Sequence, residues 1–293
     1  MELHIFLKII IKFILYLGCF FTTGTIFYRH CFQPQQTVNK LAFSSNSAKL
    51  ATCLFASIGL LASVLLFVIK LINLNGSLVG IFDLELIALL WQTPTGDAFL
   101  LRMIGFGVIL FCWEKAGLSS LILLFSATIL ILKSFASVGH IHNLDSLLIE
   151  LLLLLHLFGL SLWVGVLIPL YQFTRNVKSS LQVQQCAETF GYWAIKFVPV
   201  LLGAGVWLAY QLLGSWLELF SSQFGQILLF KLGFVGLLLI LATLNKFYYV
   251  AKIKGGQPEA IRHFHLSIKL ELALVGIIFY CTAMLTSFAS LPS

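Results

Sequence analysis

Charge is scarce in this sequence. Asp, Glu, Lys and Arg make up 10% of 293 residues, against about 25% in an average soluble domain. That scarcity excludes a soluble enzyme and a disordered chain, both of which need polar surface to stay in water. Methionine occurs three times, Met1 included, so there is no methionine-rich ladder for a soft metal. The six cysteines (Cys19, Cys31, Cys53, Cys112, Cys186 and Cys281) form no C-x-x-C pair. They are expected as small core residues rather than as disulfides or a thiolate metal site. No G-x-x-x-x-G-K-[ST] run and no H-E-x-x-H is present. Neither a nucleotide-driven pump nor a membrane hydrolase is therefore expected, and the chain is expected not to be an enzyme.

What the sequence does have is apolar length. Hydrophobic residues make up 60% of the chain, and the mean hydropathy is +1.01. A helical span takes about 20 such residues. Eight spans are predicted, over 5–28, 48–72, 99–113, 118–137, 144–171, 190–213, 224–248 and 266–288. The fold class is thus all-α, a polytopic helical bundle in membrane lipid, read as one transmembrane domain over 1–293. A transmembrane β-barrel would alternate in short segments instead. The first span is too long for a secretory leader and ends in Tyr28-Arg29-His30, so it is read as a retained helix. Residues 76–91 carry Asp83 and Glu85 among apolar neighbours, the pattern of an interfacial helix or a partial re-entry.

The net charge of +7 reads as basic cytoplasmic loops, not as a nucleic-acid partner. Arg29, Lys40 and Lys49, then Lys115, then Arg175 and Lys178, then Lys246, Lys252, Lys254 and Arg262 fall in alternate loops. Asp83, Glu85, Asp97, Asp145 and Glu218 fall in the others. Both termini are expected on the outward, periplasmic side. Lys8, Lys12 and Lys70 run against this assignment unless they snorkel along their helices.

Ionisable groups inside a bilayer cost a few kcal/mol or more and ask for a reason. His156 lies twelve residues into the fifth predicted span, about 18 Å deep at about 1.5 Å per residue. Trp163 follows seven residues later on nearly the same face. Imidazole serves both as a transition-metal ligand and as a proton carrier. His140 and His142 form an H-x-H pair in the outward connection before this span, with Asp145 close by, a pattern that suits Cu(II) or Zn(II). Fourteen residues separate His142 from His156, about 21 Å along a helix. The three histidines form either one site, if the connection folds back, or two stations on one path. Lys133 and Glu150 are expected to pair near the outer surface, with Lys231 in the same half. Glu271 is expected to neutralise Lys196. Gly18 and Gly24, and Gly159 and Gly165, share a six-residue spacing that helix packing explains without duplication.

Several segments resemble the copper resistance protein D family of bacterial inner-membrane proteins. These are Gln92-Thr93-Pro94-Thr95-Gly96 ahead of Leu101-Arg102; Gly139-His140; His156 followed by Trp163-Val164-Gly165-Val166-Leu167-Ile168-Pro169; Gly225-Gln226-Ile227-Leu228-Leu229-Phe230-Lys231; Asn245-Lys246; and Lys269-Leu270-Glu271. The likeness runs from about residue 92 to the end of the chain. It departs from the family at Leu15, where relatives often carry a histidine, and at Ile141-His142.

The resemblance implies a multi-pass inner-membrane protein that handles copper ions and receives them from a separate periplasmic copper-binding protein. His140, His142 and His156 are then the metal ligands, and Arg102, Trp163, Lys231 and Glu271 shape or balance the cavity. Two alternatives stay open on the residues alone: a haem or quinone redox protein, and a proton-coupled carrier of another small solute.

Overall fold

The structure is a computed structural model, and it describes residues 2–32, 45–113, 118–138, 146–175 and 180–287. Eleven α-helices lie among the described residues, and no strand does. The long ones are α1 (Glu2–Phe27), α2 (Ser45–Asn75), α4 (Pro94–Cys112), α6 (Leu147–Thr174), α7 (Ser180–Leu213), α9 (Gln223–Leu244) and α11 (Pro258–Leu285). The short ones are α3 (Leu84–Trp91), α5 (Leu118–Lys133), α8 (Glu218–Ser221) and α10 (Val250–Lys254). Seven stretches are long and apolar enough to cross a membrane.

The fourth predicted span, 118–137, is α5, which has 16 residues, or about 24 Å against a hydrocarbon core of about 30 Å. Its helical hydrogen bonding continues beyond Lys133, through Ser134 N–H to the Leu130 carbonyl and Ala136 N–H to the Lys133 carbonyl. The third span begins at Pro94 rather than residue 99, because proline suits a first helical turn. The sixth begins at Ser180, ten residues earlier than predicted. The seventh does not stop near residue 248. A π-helical turn, Asn245–Tyr249, carries it into α10.

Side-chain pairs fix which ends lie together. Lys12 Nζ near the start of α1 donates to the Thr286 carbonyl beyond α11 at 2.5 Å. Lys133 at the end of α5 pairs with Glu150 at the start of α6 at 3.4 Å, as expected. These mark one end of the bundle, here the proximal end. At the opposite, distal end, Lys254 pairs with Glu188 at 3.5 Å, and Arg29 lies over the Trp113 ring at 4.8 Å. The helices alternate between the two ends.

Residues 76–91 lie at the proximal end. Gly76, at φ +78°, lets the chain turn out of α2. The Asp83 side chain then accepts from the Leu86 N–H at 3.0 Å and caps α3. Leu78, Val79, Phe82, Leu84 and Leu89 stay exposed.

α1 and α6 form the centre. Cβ atoms added at Gly24 or Gly165 would run into the backbone of the other glycine's helix. Beside that contact, Thr23 Oγ1 donates to Ser161 Oγ at 3.0 Å. Gly18 meets Gly59 of α2 in the same way. Without a solvent-driven hydrophobic effect between helices, such small-residue contacts and hydroxyl bonds hold the bundle. The spaced glycines are contact points. Of the described cysteines, none is in a disulfide, and Cys19, Cys112, Cys186 and Cys281 are buried.

Replacing Gly165 by Val should separate α1 from α6 and cost about 1–3 kcal/mol or more by overpacking. A Gly203→Ala variant, where nothing lies within 4 Å of the added atom, should melt at or slightly above the parent temperature. Thermal unfolding in detergent measures both.

Candidate functional site

α6 is the helix on which the candidate residues converge. His156 is its tenth residue, about 14 Å from its proximal start. The ring turns toward α7, and Nδ1 lies 2.9 Å from the Leu201 carbonyl. A carbonyl can only accept, so Nδ1 carries the hydrogen. A neutral ring held this way keeps its lone pair on Nε2. Gly205 makes the approach possible, since a Cβ there would lie 2.9 Å from His156 Cε1 and 3.0 Å from Nδ1. Lys231 on α9 is within electrostatic reach of the ring. Cys281 on α11 is within reach of Lys231 in turn. Cysteine burial was expected from the sequence, but no pattern along the chain revealed this neighbourhood.

Trp163 lies seven residues after His156, about 10 Å further along α6 and within about 20° of the same face. Its Nε1–H donates to Glu271 Oε2 at 3.4 Å. The other carboxyl oxygen, Oε1, accepts from Asn245 Nδ2. Two residues singled out from sequence, Trp163 and Glu271, thus meet at one point, while a third, Asn245, was placed only as a motif. Asn245 opens the π-helical turn, a feature frequent at functional sites. Glu271 is buried, with 3% exposure.

The expected Glu271–Lys196 pair does not form. Lys196 lies on the outward face of α7, donates to Tyr192 Oη at 2.9 Å and sits over the Tyr192 and Trp193 rings. A partner one turn away on the same helix captures it. Among the described residues no cation pairs with Glu271.

Arg102 lies elsewhere. Its Nε donates to Ser134 Oγ at 2.8 Å, and Nη2 reaches the Ser134 carbonyl at 3.5 Å. The guanidinium also lies 5.1 Å from the Phe135 ring centroid. It therefore fastens the last turn of α5 and does not join Trp163 and Glu271. Leu15, at the position where relatives often carry a histidine, is buried in the core of α1.

His140 and His142 lie outside the described residues, as does Asp145. Among the described residues no group of three or more His, Cys, Asp or Glu side chains is placed to hold a metal ion. His156 offers one donor nitrogen there. The polar groups on and around α6 instead form successive levels: Lys133–Glu150, then His156 with Lys231, then Trp163–Glu271–Asn245. At the distal end Thr174 Oγ1 bonds His265 Nδ1 at 2.8 Å.

Residues 3–147 match the family description "Copper resistance protein D-like, N-terminal domain". Residues 184–285 match "Copper resistance protein D". No curated protein and no solved structure matches the chain.

Replacing Trp163 by Phe keeps the aromatic ring and removes one of the two donors to Glu271. The loss should destabilise the protein by about 1–3 kcal/mol, read as a lower melting temperature in detergent. Lys196→Gln should leave that temperature unchanged.

Proposed function

The chain is a membrane protein of the copper resistance protein D family, and from that membership we propose that it carries copper inward across the bacterial inner membrane. The proximal end faces the periplasm, in keeping with the basic residues Arg175, Lys252, Lys254 and Arg262 at the distal end. Copper is the cargo. It arrives from a separate periplasmic copper-binding protein, is taken up by His140 and His142, and passes to His156 within the bundle. From there it moves along α6 toward the distal end. The chain acts as a carrier, not as an enzyme.

The observation that carries this reading is the His156–Leu201 hydrogen bond. Histidines that ligate metals commonly donate their other ring N–H to a backbone carbonyl, which sets the tautomer and aims the free nitrogen. That hydrogen bond leaves Nε2 as the available ligand atom. Imidazole nitrogen suits copper well. Lys231 works in the opposite sense, since a like charge within reach of the ring lowers affinity for a cation. Transport needs a site that accepts the ion and also lets it leave.

His156→Ala, and separately the double change His140→Ala with His142→Ala, should reduce cellular copper accumulation to that of cells lacking the protein, at normal membrane levels of the variant. Gly205→Val should do the same by displacing the ring without removing it. Elemental analysis of cells and of purified protein checks all three, and unchanged copper in the His156 variant would overturn the reading.

A further inference from the structure

We propose that Glu271 is a proton-binding site, linked to the distal end by ordered water, whose proton is released when copper enters the bundle and regained when copper leaves. This rests on the copper-carrier reading and adds the counter-charge that the reading lacks.

Two observations carry it independently of any metal. The first is the setting of the carboxyl. Glu271 is buried near the middle of α11, and its carboxyl accepts from two neutral donors, Trp163 Nε1 and Asn245 Nδ2. Among the described residues no Lys or Arg side chain forms an ion pair or hydrogen bond with it. On α1, Lys12 and Tyr16 bond Thr286. On α9, Lys231 is within electrostatic reach of Cys281 and His156. In the π-helical turn, Lys246 donates to the Gly191 carbonyl at 2.8 Å. On α11 itself, His265 bonds Thr174. An isolated buried carboxylate is strongly disfavoured and takes up a proton instead.

The second observation is a pair of orphaned polar atoms. Asn245 Oδ1 and Ser267 Oγ are both buried without a hydrogen-bond partner. Asn245 touches the carboxyl, and Ser267 lies four residues before Glu271 on the same face of α11, toward the distal end. Buried polar atoms left unpaired by protein are where ordered waters bind. Water at these two atoms would extend the polar path from Glu271 toward the distal end.

The same residues fit both protonation states. With Glu271 ionised, Trp163 and Asn245 each donate to one oxygen. With Glu271 protonated, its O–H needs an acceptor. A half-turn of the Asn245 amide supplies Oδ1, which otherwise has none. On copper entry the carboxyl O–H breaks heterolytically. The proton leaves through Ser267 and water to the distal side, and the carboxylate balances the charge of the ion near His156. No electron moves, and the reverse step restores the acid.

The test uses the purified full chain in weakly buffered detergent, with copper salt added at known concentration. Bound copper is followed by elemental analysis and released protons by a pH indicator. Infrared difference spectra follow the protonated carboxyl C=O stretch. Wild type should bind copper, release protons and lose a carboxyl band. Glu271→Gln should still bind copper at His156 but lack both the band and that share of the protons. Asn245→Leu, which keeps the carboxyl, should shift the band, and so covers the case in which the Glu271 variant does not fold. Copper binding with the same proton release in Glu271→Gln, or a band unmoved by Asn245→Leu, overturns the proton site. Absence of copper binding by the wild type, with the band present, overturns the carrier reading instead.

Discussion

Contact between the backbones of α1 and α6 at Gly24 and Gly165 is the constraint on which the arrangement depends. In lipid, apolar side chains gain little by leaving hydrocarbon for a protein interior. Close approach and hydroxyl bonding must supply the association. The two glycines provide the first, and Thr23 with Ser161 provides the second. Because α6 is held there at backbone distance, its other faces are fixed toward α7 and α11. His156 then meets the Leu201 carbonyl on one side, and Trp163 meets Glu271 on the other.

The polar groups on this helix are separated by depth and by chemistry. His156 holds its Nδ1 against the Leu201 carbonyl, within electrostatic reach of Lys231. Seven residues further along, the Trp163–Glu271–Asn245 group has oxygen and amide chemistry and no cation among the described residues. Hydroxyls that return their hydrogen bonds to their own helix, such as Ser161 and Thr174, add polarity to α6 without breaking its ladder. A bilayer protein can in this way hold several polar stations in one helix, provided that each finds a partner across the bundle.

Much of this was legible in the sequence. Long apolar runs gave the spans, the placement of basic residues gave their alternation, and depth counting singled out His156. Lys133 and Glu150 were paired from depth alone. Trp163 and Glu271 were each named, but not as partners, since nothing in a linear pattern brings residues 108 apart into contact. The Leu201 carbonyl was invisible because backbone acceptors carry no sequence signature. Asn245 entered only as part of the Asn245-Lys246 segment of the family resemblance, and the span was ended at residue 248. The π-helical turn instead continues the helix into α10. Lys196 was assigned the wrong partner because depth fixes height but not azimuth, and its face of α7 points outward.

The segment between α2 and α4 bears on how the molecule rides in its bilayer. Leu78, Val79, Phe82, Leu84 and Leu89 lie exposed on a short piece of chain tied down by the Asp83 cap and by Trp91 against Phe67 and Phe99. It has the exposed apolar surface of a segment suited to the lipid–water boundary and is joined directly to the first turn of α4. Two turns below that point Arg102 grips the end of α5. α4 therefore joins this exposed apolar segment directly to the helix end that Arg102 holds.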